Sequence, residues 1–336
     1  MDILQDYLQY AGIAFALAAV LAPIIIHLLY NGGIVVKHVL MRNRVNEEFI
    51  KLQKHKSGTP TMGGLIVSFP FVILALLLLE SSAVRNVFLA GYGFFALYGF
   101  VDEMIVKFNI NNKQFRVFQE TFVWRIGKLV LLYGIGLIVV LLMGMELGIK
   151  DVTIIPSVLT LSFGGLMAIV WGFLLIAGTY GAEITDGLDG LVTGLFLIAY
   201  SVYAVIVFLS GGLETLPLIA LLTGSMLVYL YFNIPPARVF MGGVGAIPLG
   251  FGLVFLALLT DTFLPFMVIT AVFWVELFSS VTQIVAIRFW GKKVFRIAPI
   301  HHHFESLGWS EPKIVMRFWL SGVVLALVGL WMFVAL

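Results

Sequence analysis

Apolar runs of about twenty residues, parted by short polar stretches, fill nearly the whole of this 336-residue chain. Ten can be marked out: 10–31, 62–79, 84–101, 123–143, 162–182, 191–210, 216–232, 246–260, 264–287 and 316–335. Each approaches the ~20 residues a helix needs to cross the hydrocarbon of a bilayer. The eighth is short, and the ninth is long enough to tilt or break. A closed barrel would instead show many strands of about ten alternating residues, and no such alternation is present. The pattern predicts an all-α integral membrane protein, one polytopic domain over 1–336 with about ten transmembrane helices.

The polar stretches orient it. With the loops after odd-numbered spans on the cytoplasmic side, those loops and helix ends collect all of the 20 Lys and Arg except Arg85 and Lys150. The positive-inside rule then puts both termini on the outer side. In the first inner loop Val45, Phe49 and Leu52 alternate with charged residues at helical spacing, which predicts a short amphipathic surface helix. The stretch 151–161, β-branched around Pro156-Ser157, predicts a small outer β-hairpin. The first span has no small-residue cleavage site after it and acidic residues before it, so it reads as retained.

Composition narrows the class further. At 61% apolar and 11% charged the chain lies outside the soluble globular range. The absence of cysteine excludes disulfides, thiolate catalysis and zinc-thiolate sites. Net charge of +2 adds nothing beyond the loop asymmetry, and nucleic acid is not an expected partner.

Candidate chemistry sits where polar residues interrupt the apolar pattern. The densest interruption is Thr185-Asp186-Gly187-Leu188-Asp189-Gly190. If Asp186 opens a helix, Asp189 shares its face, and two carboxylates at a membrane boundary suit a hard cation bridging phosphate oxygens. The alternative is a plain helix cap. Lys56-Ser57-Gly58-Thr59-Pro60-Thr61-Met62-Gly63-Gly64 gathers a cation, hydroxyls and glycines before span 2, a composition suited to an anion. Asp102-Glu103 closes span 3, as a site or as a solvated helix end. Glu276 lies inside span 9, either functional or paired with a neighbouring helix. His301-His302-His303 in the last inner loop are too close together to ligate one metal and serve better as hydrogen-bond or proton donors beside phosphate.

Together, 58–64, 185–190, Phe240-Met241-Gly242 and Pro299-Ile300-His301-His302-His303-Phe304-Glu305 resemble the MraY family of phospho-N-acetylmuramoyl-pentapeptide transferases. The resemblance runs from about residue 37 to the end. It implies a ten-helix enzyme of the bacterial cytoplasmic (inner) membrane, dimeric, surrounded by membrane lipids and dependent on Mg²⁺ at its cytoplasmic face. Its substrates would be UDP-MurNAc-pentapeptide and undecaprenyl phosphate, its products lipid I and UMP. By the same resemblance Asp102, Glu103, Asp186 and Asp189 are catalytic, with Asp186 and Asp189 on the metal. Lys56, Thr61, His301, His302 and His303 bind substrate.

The departures fall on one region. Gly243 stands where the family carries a magnesium-binding aspartate, and Glu103 where it carries the second of two aspartates. Tyr180, Gly181 and Glu183 occupy the stretch where asparagines precede Thr-Asp-Gly, and Lys107 is displaced from its usual place. Two readings stay open: a working transferase with a compensating carboxylate such as Glu183, or a weakened member that still binds nucleotide, lipid or inhibitor. A glycine has no side chain with which to ligate a cation, so restoring aspartate at 243 is expected to raise activity.

Overall fold

The computed structural model describes residues 2–36, 56–109, 114–115, 118, 121–149, 151–155, 159–162 and 165–335. The amphipathic helix expected at 45–52, most of the 110–120 loop, and His38 and His55 lie outside these. Helices dominate: α1 (Asp2–Asn31), α2 (Leu65–Leu78), α3 (Ala83–Phe108), α4 (Phe122–Glu146), α5 (Gly165–Thr185), α6 (Leu191–Leu209), α7 (Leu216–Asn233), α8 (Gly243–Leu259), α9 (Phe263–Ile269), α10 (Ala271–Trp290), α11 (Ile300–Ser306) and α12 (Glu311–Ala335). Among the described residues seven, α1, α3, α4, α6, α7, α10 and α12, are long and apolar enough to cross a membrane. The apolar α2 and α8 are shorter, at 14 and 17 residues. This is a multi-pass membrane protein.

Strands β1 (Asp151–Ile155) and β2 (Leu159–Ser162) pair antiparallel, as the β-branched stretch predicts. Asp261, in the turn after α8, accepts the Thr153 N–H at 2.7 Å and ties the hairpin to the helices.

The centre of the bundle is α8. Every residue from Gly243 to Leu258 is buried, as befits a helix apolar on all sides. It packs between α3 and α5 and also meets α2 and α6. Small residues make this possible, because in lipid helices associate by close packing rather than by a hydrophobic drive. A Cβ on Gly64 would lie 2.3 Å from the Gly245 Cα, and one on Gly99 would lie 2.4 Å from the Gly243 backbone. At the periphery α1 lies along α7, and α12 packs on α6 and α9.

The long ninth span is interrupted. Thr270 lies between α9 and α10, its hydroxyl donating to the Phe266 carbonyl at 2.6 Å and accepting from Trp274 Nε1 at 2.9 Å. The side chain thus satisfies backbone and indole polar groups where the helix breaks.

The Gly64–Gly245 contact gives a stability test. Gly64→Ala is expected to lower the thermal unfolding midpoint in detergent by the equivalent of about 1–3 kcal/mol of overpacking. Gly93→Ala, where a Cβ meets nothing within 4 Å, should leave it unchanged or higher.

Candidate active site

The sequence expectation of a helix opening at Asp186 is not met. Helix α5 ends at Thr185 and α6 begins at Leu191, so both aspartates sit in the turn between them. Gly190 has φ +81°, a left-handed conformation that ends any helical run and that glycine adopts without strain. The turn still sends both carboxylates to one place, the connector between α7 and α8. Asp189 Oδ2 accepts the Ala237 N–H and Asp186 Oδ2 the Gly242 N–H, each at 2.9 Å. Asn233 completes the join, accepting from Gly190 N–H at 3.0 Å and donating to the Val239 carbonyl at 3.0 Å.

Lys56 supplies the positive charge. Its Nζ lies 2.8 Å from Asp189 Oδ1 and 2.6 Å from Glu311 Oε1, donates to the Gly187 carbonyl at 3.2 Å, and stands 5.6 Å from the Phe240 ring centroid. Glu311, the first residue of α12, also accepts the Asp189 N–H at 2.6 Å. Burial pushes the ammonium down, but the Glu311 and Asp189 carboxylates outweigh it and hold Lys56 above its ordinary 10.5. The stability that this raised lysine contributes is therefore fully present below about 10.5 and is lost as pH rises through the raised value.

The acidic pair on α3 divides. Adjacent helical residues point about 100° apart. Asp102 turns to Lys128 of α4, at 2.6 Å. Glu103 turns inward, accepting from Thr61 Oγ1 at 2.9 Å and from the Val244 N–H at 3.4 Å. A Cβ on Gly243 would lie 3.8 Å from Glu103 Oε1, and one on Gly242 would meet that oxygen at 2.1 Å. Glu103 thus brings a carboxylate to the edge of Gly243.

The histidines lie on α11, held down by a polar line on α10. Gln283 accepts the Val294 and Phe295 N–H groups and donates to the Phe295 carbonyl. Ser279 Oγ accepts the Ile300 N–H at 3.0 Å, and Glu276 Oε2 lies 2.9 Å from His301 Nδ1. His302 Nδ1 pairs with Glu305, whereas half-buried His303 accepts the Arg296 N–H through Nδ1 at 3.3 Å. Burial holds the His301 imidazole down to about 3 and the His302 imidazole down to about 4, so both are neutral at physiological pH. Burial also pushes the Asp186 carboxyl up to about 7, against the pull of the Gly242 N–H and Lys56.

Residues from six separate stretches therefore meet: Lys56 and Thr61, Glu103, the 186–190 turn, the 237–244 connector, the histidine helix and Glu311. Asp102 joins Lys128 instead. Among the described residues no three His, Asp or Glu side chains gather into a cation cage. Sequence reasoning missed Glu311, Asn233, Ser279 and Gln283. The last two had a signal, since Glu276, Ser279 and Gln283 fall at i, i+3 and i+7 of an otherwise apolar helix.

The model of glycosyl transferase family 4 matches residues 85–261, a stretch that includes Glu103, the aspartate turn and Gly243. A phospho-N-acetylmuramoyl-pentapeptide-transferase of Anoxybacillus flavithermus is 32% identical over 329 residues, 96% of each chain. The chain belongs to the MraY family. Proteins of the same name from Shouchella clausii and Staphylococcus aureus are each 32% identical, the first over 95% of both chains, the second over 96% of this chain and 98% of its own. For this family member the aligned length covers every stretch that builds the site.

Glu311→Ala would leave Lys56 with one carboxylate and the Asp189 N–H without its acceptor. A loss of about 1.5–3 kcal/mol is expected, the cost of a charge-assisted hydrogen bond at a buried site, read from thermal unfolding in detergent. Glu311→Gln, which keeps an acceptor, should lose less.

Proposed function

We propose that this protein transfers phospho-MurNAc-pentapeptide from its UDP-linked form to undecaprenyl phosphate, giving lipid I and UMP, at the cytoplasmic face of the bacterial inner membrane. The observation that carries the reading is the convergence of Lys56, Asp186, Asp189, Glu103 and the histidine helix around one connector, in a chain that matches transferases of that name from end to end. In the reaction the sugar-bearing phosphorus exchanges one bridging oxygen for another. Its bond to the UMP oxygen breaks, UMP leaves with the electron pair, and a bond to the lipid phosphate oxygen forms. Both substrates are anionic, so a fixed positive charge at the meeting point lowers their repulsion. Lys56 is that charge, already oriented by two carboxylates and a carbonyl.

The donor set fits a magnesium ion carried in with the phosphates. Magnesium takes one or two carboxylates plus phosphate and water oxygens, and needs no all-protein cage. Asp186 and Glu103 both lie against Gly242, the first through its N–H and the second in the space a Cβ would fill. These two would hold the ion, with Asp189 engaged by Lys56. When bound, the ion offsets charge on the transferring phosphoryl group. The reach of Glu103 to the edge of Gly243 supports a working transferase over a binding-only member.

The test is UMP release with both substrates, with and without Mg²⁺. The unaltered protein is expected to turn over, and Glu103→Gln to fall by at least about tenfold, some 1.4 kcal/mol in the barrier. Contrary to the expectation from sequence alone, Gly243→Asp by itself should change the rate by less than about threefold, while added to Glu103→Gln it should recover part of the loss. No turnover by the unaltered protein would sink the proposal.

The ten-span arrangement with both termini outside is part of the same reading. Since the chain lacks cysteine, single cysteines at Gly212 and Ser310 report topology directly. An impermeant reagent applied outside should label Gly212→Cys and spare Ser310→Cys. Equal labelling would rule out the arrangement.

A further inference from the structure

All three polar residues on the inner line of α10 hold the backbone that leads into α11, Glu276 through the N–H groups of Ile300 and His301, and Glu276 also binds a side chain, the His301 ring. Glu276 and His301 are both fully buried. Beyond their mutual contact, neither Glu276 Oε1 nor His301 Nε2 has a hydrogen-bond partner among the described residues. Folded proteins leave few buried polar atoms in that condition, so two at a single contact point to a role other than stability.

The ring of His301 lies over the aspartate turn. A Cβ added to Gly187 would fall 2.2 Å from His301 Nε2 and 2.8 Å from its Cε1, so the absent side chain of Gly187 is the seat of the imidazole. From its other side Gly187 is held by Lys56, whose Nζ donates to its carbonyl at 3.2 Å. Glu276, His301, Gly187 and Lys56 thus form one unbroken line, from a long apolar helix to the cation that pairs with Asp189. The ring is neutral, held down by burial, and brings no charge to an incoming phosphate. What it contributes is placement, because a hydrogen bond at Nδ1 fixes the rotation of an imidazole.

We propose that Glu276 is a positioning residue which, through His301, seats Gly187 and so sets the 186–190 turn and Lys56 for the nucleoside diphosphate part of the donor. This rests on the transferase reading above. It assigns His301 to the support of the turn, and it predicts an effect on one substrate and not the other.

The experiment measures UDP binding by calorimetry on the full-length protein in detergent with Mg²⁺, together with KM for the UDP-linked donor and for the lipid phosphate. Glu276→Ala is expected to weaken UDP and raise the donor KM by about tenfold while the lipid-phosphate KM stays within about twofold. Glu276→Gln, which keeps the length and a polar partner for Nδ1, should stay within about threefold of the parent. Gly187→Ala should weaken UDP by about tenfold or more, and Gly187→Ala with His301→Ala should bind better than Gly187→Ala alone, the sign of a shared steric contact. Equal losses for Gln and Ala at 276, a common shift in both KM values, or additive effects of Gly187→Ala and His301→Ala would each overturn the proposal. Should the unaltered protein bind no UDP, the transferase reading falls and this one with it; UDP binding that is indifferent to position 276 overturns this one alone.

Discussion

A connector at a membrane boundary has backbone N–H groups that neither helix nor sheet will satisfy, and leaving them unpaired away from water costs several kcal/mol in all, at about 1–3 each. Here carboxylates meet that demand. Asp189, Asp186 and Glu103 take the N–H groups of Ala237, Gly242 and Val244, from two different helix ends. The same acids that define the candidate chemistry therefore hold the start of α8, the most buried helix of the bundle. Fold and site cannot be separated in this region, since moving any one of these carboxylates releases a backbone group.

Gathering negative charge in this way requires a counter-charge, and the position of Lys56 decides how the acids are shared. Its contacts with Asp189 and Glu311 commit those two to a buried ion pair. Breaking such a pair by removing one partner is far more costly than its net worth suggests, because the other charge is left stranded. Asp186 and Glu103 face Gly242 with no lysine in hydrogen-bond contact among the described residues, and under the proposed function they are the acids that would meet a cation arriving with phosphate. The two contacts of Lys56 thus set Asp189 and Glu311 apart from Asp186 and Glu103.

Most of the fold was legible because crossing a bilayer leaves a coarse mark on sequence. Each apolar run falls on a helix, though three helices reach five to eight residues past the run, the break in the ninth span was foreshadowed by its length, and the β-branched 151–161 stretch did form paired strands. The aspartate turn departs from helical spacing because α5 stops at Thr185 and the left-handed Gly190 keeps 186–189 from running on into α6. Glu311 was invisible for a different reason: it meets Lys56 and Asp189 from 255 and 122 residues away, and spacing along the chain carries no trace of such contacts. Ser279 and Gln283 were legible in principle, as polar residues on one line of an apolar helix, and were passed over because only charge was weighed.

The exchange between positions 103 and 243 shows what a motif comparison alone cannot. Read as letters, set against the family pattern that the sequence resembles, a glycine at 243 counts as a lost carboxylate and a glutamate at 103 as a near-neutral change. Read in space, the two positions share one small volume between α3 and the start of α8, where a Cβ on Gly243 would come within 3.8 Å of Glu103 Oε1. An aspartate at 243 and a glutamate at 103 would crowd two carboxylates there, and like charges so close are tolerated only with a cation between them. A glycine opposite the longer acid keeps a carboxylate in that volume and relieves the crowding. The extra methylene of Glu103 lets it reach the Val244 N–H from a helix whose Gly99 is already in backbone contact with Gly243. The residue at 243 therefore has to be weighed together with the reach of the one at 103, since both border the same small volume.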